Sequence, residues 1–199
     1  MNNYIDKLTY SEIISNQTKE WFADYCLYKK NKLQYDNTVL DVFGINECDF
    51  INNKKITFNI LAGISCTFKC CETNPELCHN YHLINETPIK CNIHKVIELY
   101  KSQQLSQNIT FQGGLEVLDN IKQLLWFIYY FRLDYKDDIF IWTGYTKREC
   151  DTFIKLVHMM EWENIYIKFG RFIPNNTPHF DNVIGVNLIS YNQYAERIS

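Results

Sequence analysis

Short apolar runs punctuate this chain at intervals, and helically spaced segments fall between most of them. Ile56–Ala62, Asn108–Gln112, Ile139–Thr143, Ile165–Phe169 and Val183–Leu188 read as strands. Asn92–Leu105, Glu116–Phe131 and Lys147–Glu161 read as helices. The aromatic run from Trp126 to Phe131 reads as the core-facing part of the second of these. A helix-like stretch near Tyr10–Tyr28 comes first, followed by polar sequence that reads as irregular up to residue 55. The pattern therefore predicts an N-terminal extension over residues 1–55 and one α/β domain over 56–199. Alternation of strand, helix and strand implies a mostly parallel sheet with right-handed crossovers.

In a parallel sheet the loops that leave the strands share one edge, where ligands bind. Here each predicted strand runs into an unusual loop. The first meets a cysteine cluster and the second Gly113-Gly114-Leu115-Glu116. The third ends at Thr143-Gly144-Tyr145, the fourth at Gly170-Arg171 and the fifth at Ser190-Tyr191-Asn192-Gln193. Five such loops at one edge can converge on one ligand.

Composition narrows the function classes. A formal net charge of −3, with both signs interspersed, gives no basic field for nucleic acid. The longest apolar stretch, Leu124 to Phe131, is too short for a membrane span. Met1-Asn2-Asn3-Tyr4-Ile5-Asp6-Lys7 lacks the basic start and apolar core of a signal peptide, so a cytoplasmic, reducing location is expected. Eight cysteines in that setting point to metal ligands or thiols rather than disulfides. Cys66, Cys70, Cys71 and Cys78 fall together, whereas Cys26, Cys48 and Cys150 have no ligand spacing. On chemistry alone the cluster suits iron–sulfur or zinc. His79, His82, Cys91 and His94 stand near enough in sequence to complete a tetrahedral zinc site.

Cys66-Thr67-Phe68-Lys69-Cys70, followed by Cys78-His79-Asn80, resembles the cluster loop of radical S-adenosylmethionine (SAM) enzymes. It is most similar to that of the activating proteins of anaerobic ribonucleotide reductases. That family commonly spaces its cysteines Cys-x3-Cys-x2-Cys, with His-Asn after the third. Here the second gap is seven residues, so the loop reads as expanded by about Cys71 to Pro75. Gly113-Gly114-Leu115-Glu116 resembles the family's Gly-Gly-Glu-Pro segment, with a leucine inserted and the proline missing. Ile141–Tyr145, Lys168–Phe172 and Asn192-Gln193 also resemble the family's later strands, so the likeness runs from Ile56 to Arg197.

The resemblance implies an incomplete, TIM-like barrel of parallel strands. It implies a 4Fe-4S cluster on Cys66, Cys70 and Cys78, with Cys71 a bystander because adjacent residues rarely ligate one small cluster. It further implies SAM held by Asn80, Gly113, Gly114, Glu116 and Thr143. The activity expected is reductive cleavage of SAM to a 5′-deoxyadenosyl radical, which installs a glycyl radical. The partners implied are the large subunit of an anaerobic ribonucleotide reductase and an electron donor such as flavodoxin or ferredoxin. Two other readings stay open: a radical SAM enzyme acting on another peptide or small molecule, and a zinc-bound interaction module. Glu116 also reads as a helix N-terminal residue favoured by the dipole, and Thr143-Gly144-Tyr145 as a strand-ending turn.

Overall fold

The computed structural model describes residues 10–31, 39–66, 78 and 80–199. Cys70, Cys71 and His79 lie outside the described residues. Nine strands and four α-helices are described. They are α1 (Tyr10–Asn31), β1 (Val39–Asp49), β2 (Thr57–Ala62), β3 (Ile89–Asn92), α2 (Ile93–Ser102), β4 (Asn108–Phe111), α3 (Ile121–Asp134), β5 (Asp138–Trp142), α4 (Asp151–Met159), β6 (Ile165–Phe169), β7 (His179–Asp181), β8 (Val186–Leu188) and β9 (Tyr194–Arg197).

Seven strands form one sheet in the order β3-β1-β2-β4-β5-β6-β9, and β7 and β8 form a separate hairpin. The central pairs β2–β4, β4–β5 and β5–β6 are parallel, as the alternating pattern predicts. The flanking pairs are antiparallel: β1 with β2, β1 with β3, and β6 with β9. The architecture is thus mixed α/β with a mostly parallel central sheet, and its strand order is open rather than that of a closed barrel.

Three sequence readings are corrected here. The stretch read as irregular before residue 55 supplies β1, an eleven-residue strand between β2 and β3. Val183–Leu188 is not a strand of the seven-stranded sheet, because its first part is a turn around Gly185 and only Val186–Leu188 pairs, antiparallel with β7. Lys147–Cys150 forms turns, and the helix begins at Asp151.

Side-chain alternation sorts the two faces of the parallel strands. Phe58, Ile60, Ile109, Phe111, Ile139, Ile141, Ile165 and Ile167 belong to the large core beneath the helices. α2 follows the helical period, with Ile93, Val96, Ile97 and Tyr100 buried, and Asn92 caps it by accepting from His94 N and Lys95 N. α3 is buried on nearly every side because it lies between two layers. Phe127 packs on Phe111 of β4 at 5.0 Å between ring centroids, and Trp126 packs on Trp21 of α1 at 5.4 Å. Trp21 is fully buried, and it also meets Trp162 at 5.8 Å. The other face is more polar. It carries Thr57, Asn59, Thr110, Phe140, Trp142, Tyr166 and Lys168, which the strand register places side by side. Phe140 there packs with Ile184, Leu188 and Ala195. Among the described residues no helix is long and apolar enough to cross a membrane.

Candidate iron–sulfur site at the carboxyl edge of the sheet

β2 delivers the chain to the carboxyl edge through Gly63-Ile64-Ser65-Cys66, and β4 delivers the double glycine beside it. The two loops touch through their backbones. A Cβ built on Gly114 would lie 1.9 Å from the Ala62 carbonyl oxygen, so only glycine fits. Gly63 has φ +111°, and a Cβ there would lie 3.0 Å from the Leu115 carbonyl carbon. Glu116 N donates to Ser65 O at 3.0 Å. Asn80 Nδ2 donates to Gly114 O at 2.6 Å. The chain segments carrying Cys66 and Cys78 are therefore tied at several points to the loop that carries Gly113 and Gly114. Cys66 and Cys78 are both half-buried at this edge.

Glu116 carries the tie onward to the next strand. Its Oε1 accepts from Thr143 Oγ1 at 2.7 Å and from Leu118 N at 3.1 Å, and its Oε2 accepts from Gly144 N at 2.8 Å. The side chain is buried, and desolvation pushes its carboxyl up to about 7 although all three donors pull the other way. Thr143 Oγ1 also accepts from Tyr145 N at 3.1 Å. The buried Tyr145 hydroxyl donates to Asp119, which follows Glu116 in the same turn. Both oxygens of Glu116 are thus engaged within the protein, where they bind the loop after β4 to the loop after β5.

The seam continues to β6. Thr143 N donates to Lys168 O at 2.9 Å, and Gly170 N donates to Tyr145 O at 2.9 Å. Gly170 O accepts from Lys168 Nζ at 2.6 Å and from Gln193 Nε2 at 3.2 Å. Lys168 is buried over the Trp142 ring, 5.6 Å from its centroid. Burial pushes its ammonium down to about 8, and the charge of Glu116 opposes that shift.

The fold thus places Asn80, Gly113, Gly114, Glu116 and Thr143 in one run of contacts at the mouth of β2, β4 and β5, beside Cys66 and Cys78. Cys70, the third expected ligand, lies outside the described residues. Among the described residues no three His, Cys, Asp or Glu side chains gather at metal-binding spacing. Cys150 is buried, and its thiol is pushed up by desolvation, as befits a thiol without a ligand role. Sequence reasoning missed Gly63 and Asp119. A glycine three residues before the cluster loop was the available signal for the first; nothing local marked the second.

Cys66 and Cys78, both half-buried, with further cysteines nearby in sequence, offer soft donors of the kind an iron–sulfur cluster takes. A family model described as a 4Fe-4S single cluster domain matches residues 59–185, which include the cysteine loop and β4 to β6. That match supports iron–sulfur over zinc for these thiols. Neither the curated proteins nor the solved structures give a match. The matched region is well over half of the chain, and the chain belongs to the 4Fe-4S single cluster domain family, which occurs in radical SAM-like proteins.

Proposed function

We propose that this protein is an iron–sulfur enzyme that cleaves SAM reductively and passes the resulting radical to a glycine of an anaerobic ribonucleotide reductase. The observation that carries the reading is the bond from Asn80, two residues after Cys78, to the carbonyl of Gly114. It joins the segment expected to hold the cluster to the segment expected to hold the amino acid end of SAM.

The donor set assigned to the cluster is Cys66, Cys70 and Cys78, which leaves one iron without a protein ligand. A reduced cluster held by these thiols would supply one electron to the sulfonium of SAM, whose bond to C5′ would break to leave methionine and a carbon-centred radical. The chain's own residues hold and shield that chemistry. Gly114 lets the loop after β4 pack directly on the Ala62 backbone, and Gly113, with φ +73°, makes the turn beside it, so the loop is held at the mouth of the site. Glu116 and Thr143 act through position, because their bonds fix the loops on either side of the site. A hydrogen atom taken from a glycine Cα of the partner would then complete 5′-deoxyadenosine and leave the radical on that glycine. A flavodoxin or ferredoxin is the class of donor for the electron.

The test is anaerobic. The reconstituted protein, SAM and a reductant should yield 5′-deoxyadenosine, and addition of the cognate reductase should yield a glycyl-radical doublet in electron paramagnetic resonance. Absence of 5′-deoxyadenosine would remove the SAM reading. Its formation without a radical on the reductase would leave a radical SAM enzyme with another peptide or small-molecule substrate.

A further inference from the structure

α1 lies outside the residues 59–185 that the family model matches, yet it reaches the candidate site. Gln17 Nε2 donates to Asp119 O at 3.2 Å, across 102 residues of sequence. Asp119 N donates to Glu116 O at 3.2 Å, and Glu116 N donates to Ser65 O at 3.0 Å. Three bonds in series therefore run from the N-terminal helix to the residue before Cys66. Asp119 is gripped from a further side, because its carboxylate accepts the buried Tyr145 hydroxyl.

The rest of α1 keeps Gln17 in place. Trp21, one helical turn later, is fully buried and packs against Trp126. Lys122 meets Glu20 at 3.6 Å and Asp24 at 3.1 Å, but these pairs are partly exposed and add little stability. Trp21 thus fixes the helix on α3, and Gln17 reaches the turn that precedes α3. At the far end of the series packing is thin, because Ile64 is 46% exposed and Ser65 is exposed too. The approach to Cys66 is held instead by the bond from Glu116 N and by the close fit of Gly63 on Leu115.

We propose that Gln17 is a positioning residue for the cluster-bearing segment: it fixes the Glu116–Asp119 turn, and the turn fixes Ser65 beside Cys66. A donor on a helix locked by core packing gives the loop a rigid point of attachment. Without that donor the turn opens more often, and the backbone bond to Ser65 opens with it. The inference rests on the assignment of Cys66 as a cluster ligand. It goes beyond that assignment by making the N-terminal helix part of the cluster's support.

The experiment uses the full chain, reconstituted anaerobically, with two readouts: chelator-driven iron release and hydrogen exchange at the Glu116 amide. Gln17→Met keeps the length of the side chain and removes its donor. Iron release and Glu116 exchange should each become at least about threefold faster, the size of a modest hydrogen bond. Gln17→Lys keeps a donor of similar reach and should restore most of the difference. Val96→Ala loosens the core beneath α2, away from α1, and controls for general destabilisation. It should speed neither process to the same degree. Unchanged release or unchanged exchange in Gln17→Met, no restoration in Gln17→Lys, or equal acceleration in Val96→Ala overturns the inference. Wild-type protein that holds no cluster would instead remove the assignment of Cys66, and exchange at Glu116 would still decide whether Gln17 holds the turn.

Discussion

Glu116 accepts the hydroxyl of Thr143 at 2.7 Å, across 27 residues of sequence and from the end of one parallel strand to the next. With Gly144 N on the other oxygen, this one carboxylate makes the loops after β4 and β5 a single body. The same loop after β4 is pinned to β2 through Gly114 and Ala62. A disturbance at Glu116 therefore reaches the cysteine segment, both through this loop and through the bond from Glu116 N to Ser65 O at 3.0 Å.

The first consequence is a pH dependence of stability. Burial lifts the Glu116 carboxyl from 4.5 to about 7, so the folded state holds this proton more tightly than the unfolded chain. The stability this contributes is full below 4.5 and is lost as pH rises through about 7. Glu116→Gln should flatten that part of the stability curve. Urea midpoints at about pH 5 and about pH 7.5 measure it, and an identical slope in the two proteins would show that another group titrates.

The two glycines of the β4 loop should differ sharply. Gly114→Ala forces a Cβ to within 1.9 Å of a backbone oxygen, which cannot swing aside. A loss of roughly 3 kcal/mol or more is expected. Gly113→Ala meets only the Leu61 side chain at 3.4 Å, so its cost is mainly that of φ +73°, about 1–2 kcal/mol. Denaturant unfolding of both variants checks the order, and a Gly113 variant as unstable as the Gly114 one contradicts it.

Asn80→Ala removes the 2.6 Å bond to Gly114 O. About 1 kcal/mol of stability should go with it, together with faster loss of iron during gel filtration. Retention of iron equal to wild type would mean that the bond does not anchor the cysteine segment.

Cluster occupancy should depend on three thiols. Cys66→Ala, Cys70→Ala and Cys78→Ala should each fail to hold a stable four-iron cluster, while Cys71→Ala should keep it. Iron and sulfide analysis with absorbance near 400 nm reads the outcome. Loss in Cys71→Ala with retention in Cys78→Ala would reassign the third ligand.

Trp21→Ala tests whether α1 is integral to the fold. Trp21 is fully buried among Trp126, Trp162 and Tyr25. Deleting it should cost about 3–5 kcal/mol. A variant within 1 kcal/mol of wild type by urea unfolding, a small fraction of that loss, would mean that the helix is dispensable.

Apolar runs ending in odd loops were enough to place β2, β4, β5 and β6 and the edge at which the candidate site stands. Their side chains are branched or aromatic and the runs are short, so local pattern and tertiary role agree. The cysteine and double-glycine segments were legible for a related reason: soft donors and bare backbone are chemical properties of the residues themselves. The edges of the sheet were not legible. β1 holds Asp41, Gly44, Asn46, Glu47 and Asp49 within eleven residues, and only pairing on both sides makes a strand of it. Val183–Leu188 was misjudged because its apolar residues pack against Phe140 from a turn and a hairpin.

Sequence alone thus marked which residues are candidates for chemistry and that they follow parallel strands. Tertiary structure decided what several of them do. Glu116 looked like a residue that would meet a ligand, yet its oxygens are filled by Thr143, Gly144 and Leu118. Asn192 and Gln193 resembled part of a late strand, yet they precede β9 and their amide nitrogens hold the Gly170–Arg171 turn. A side chain's hydrogen-bonding capacity is written in its type, but its partner is set by which strand ends lie next to each other.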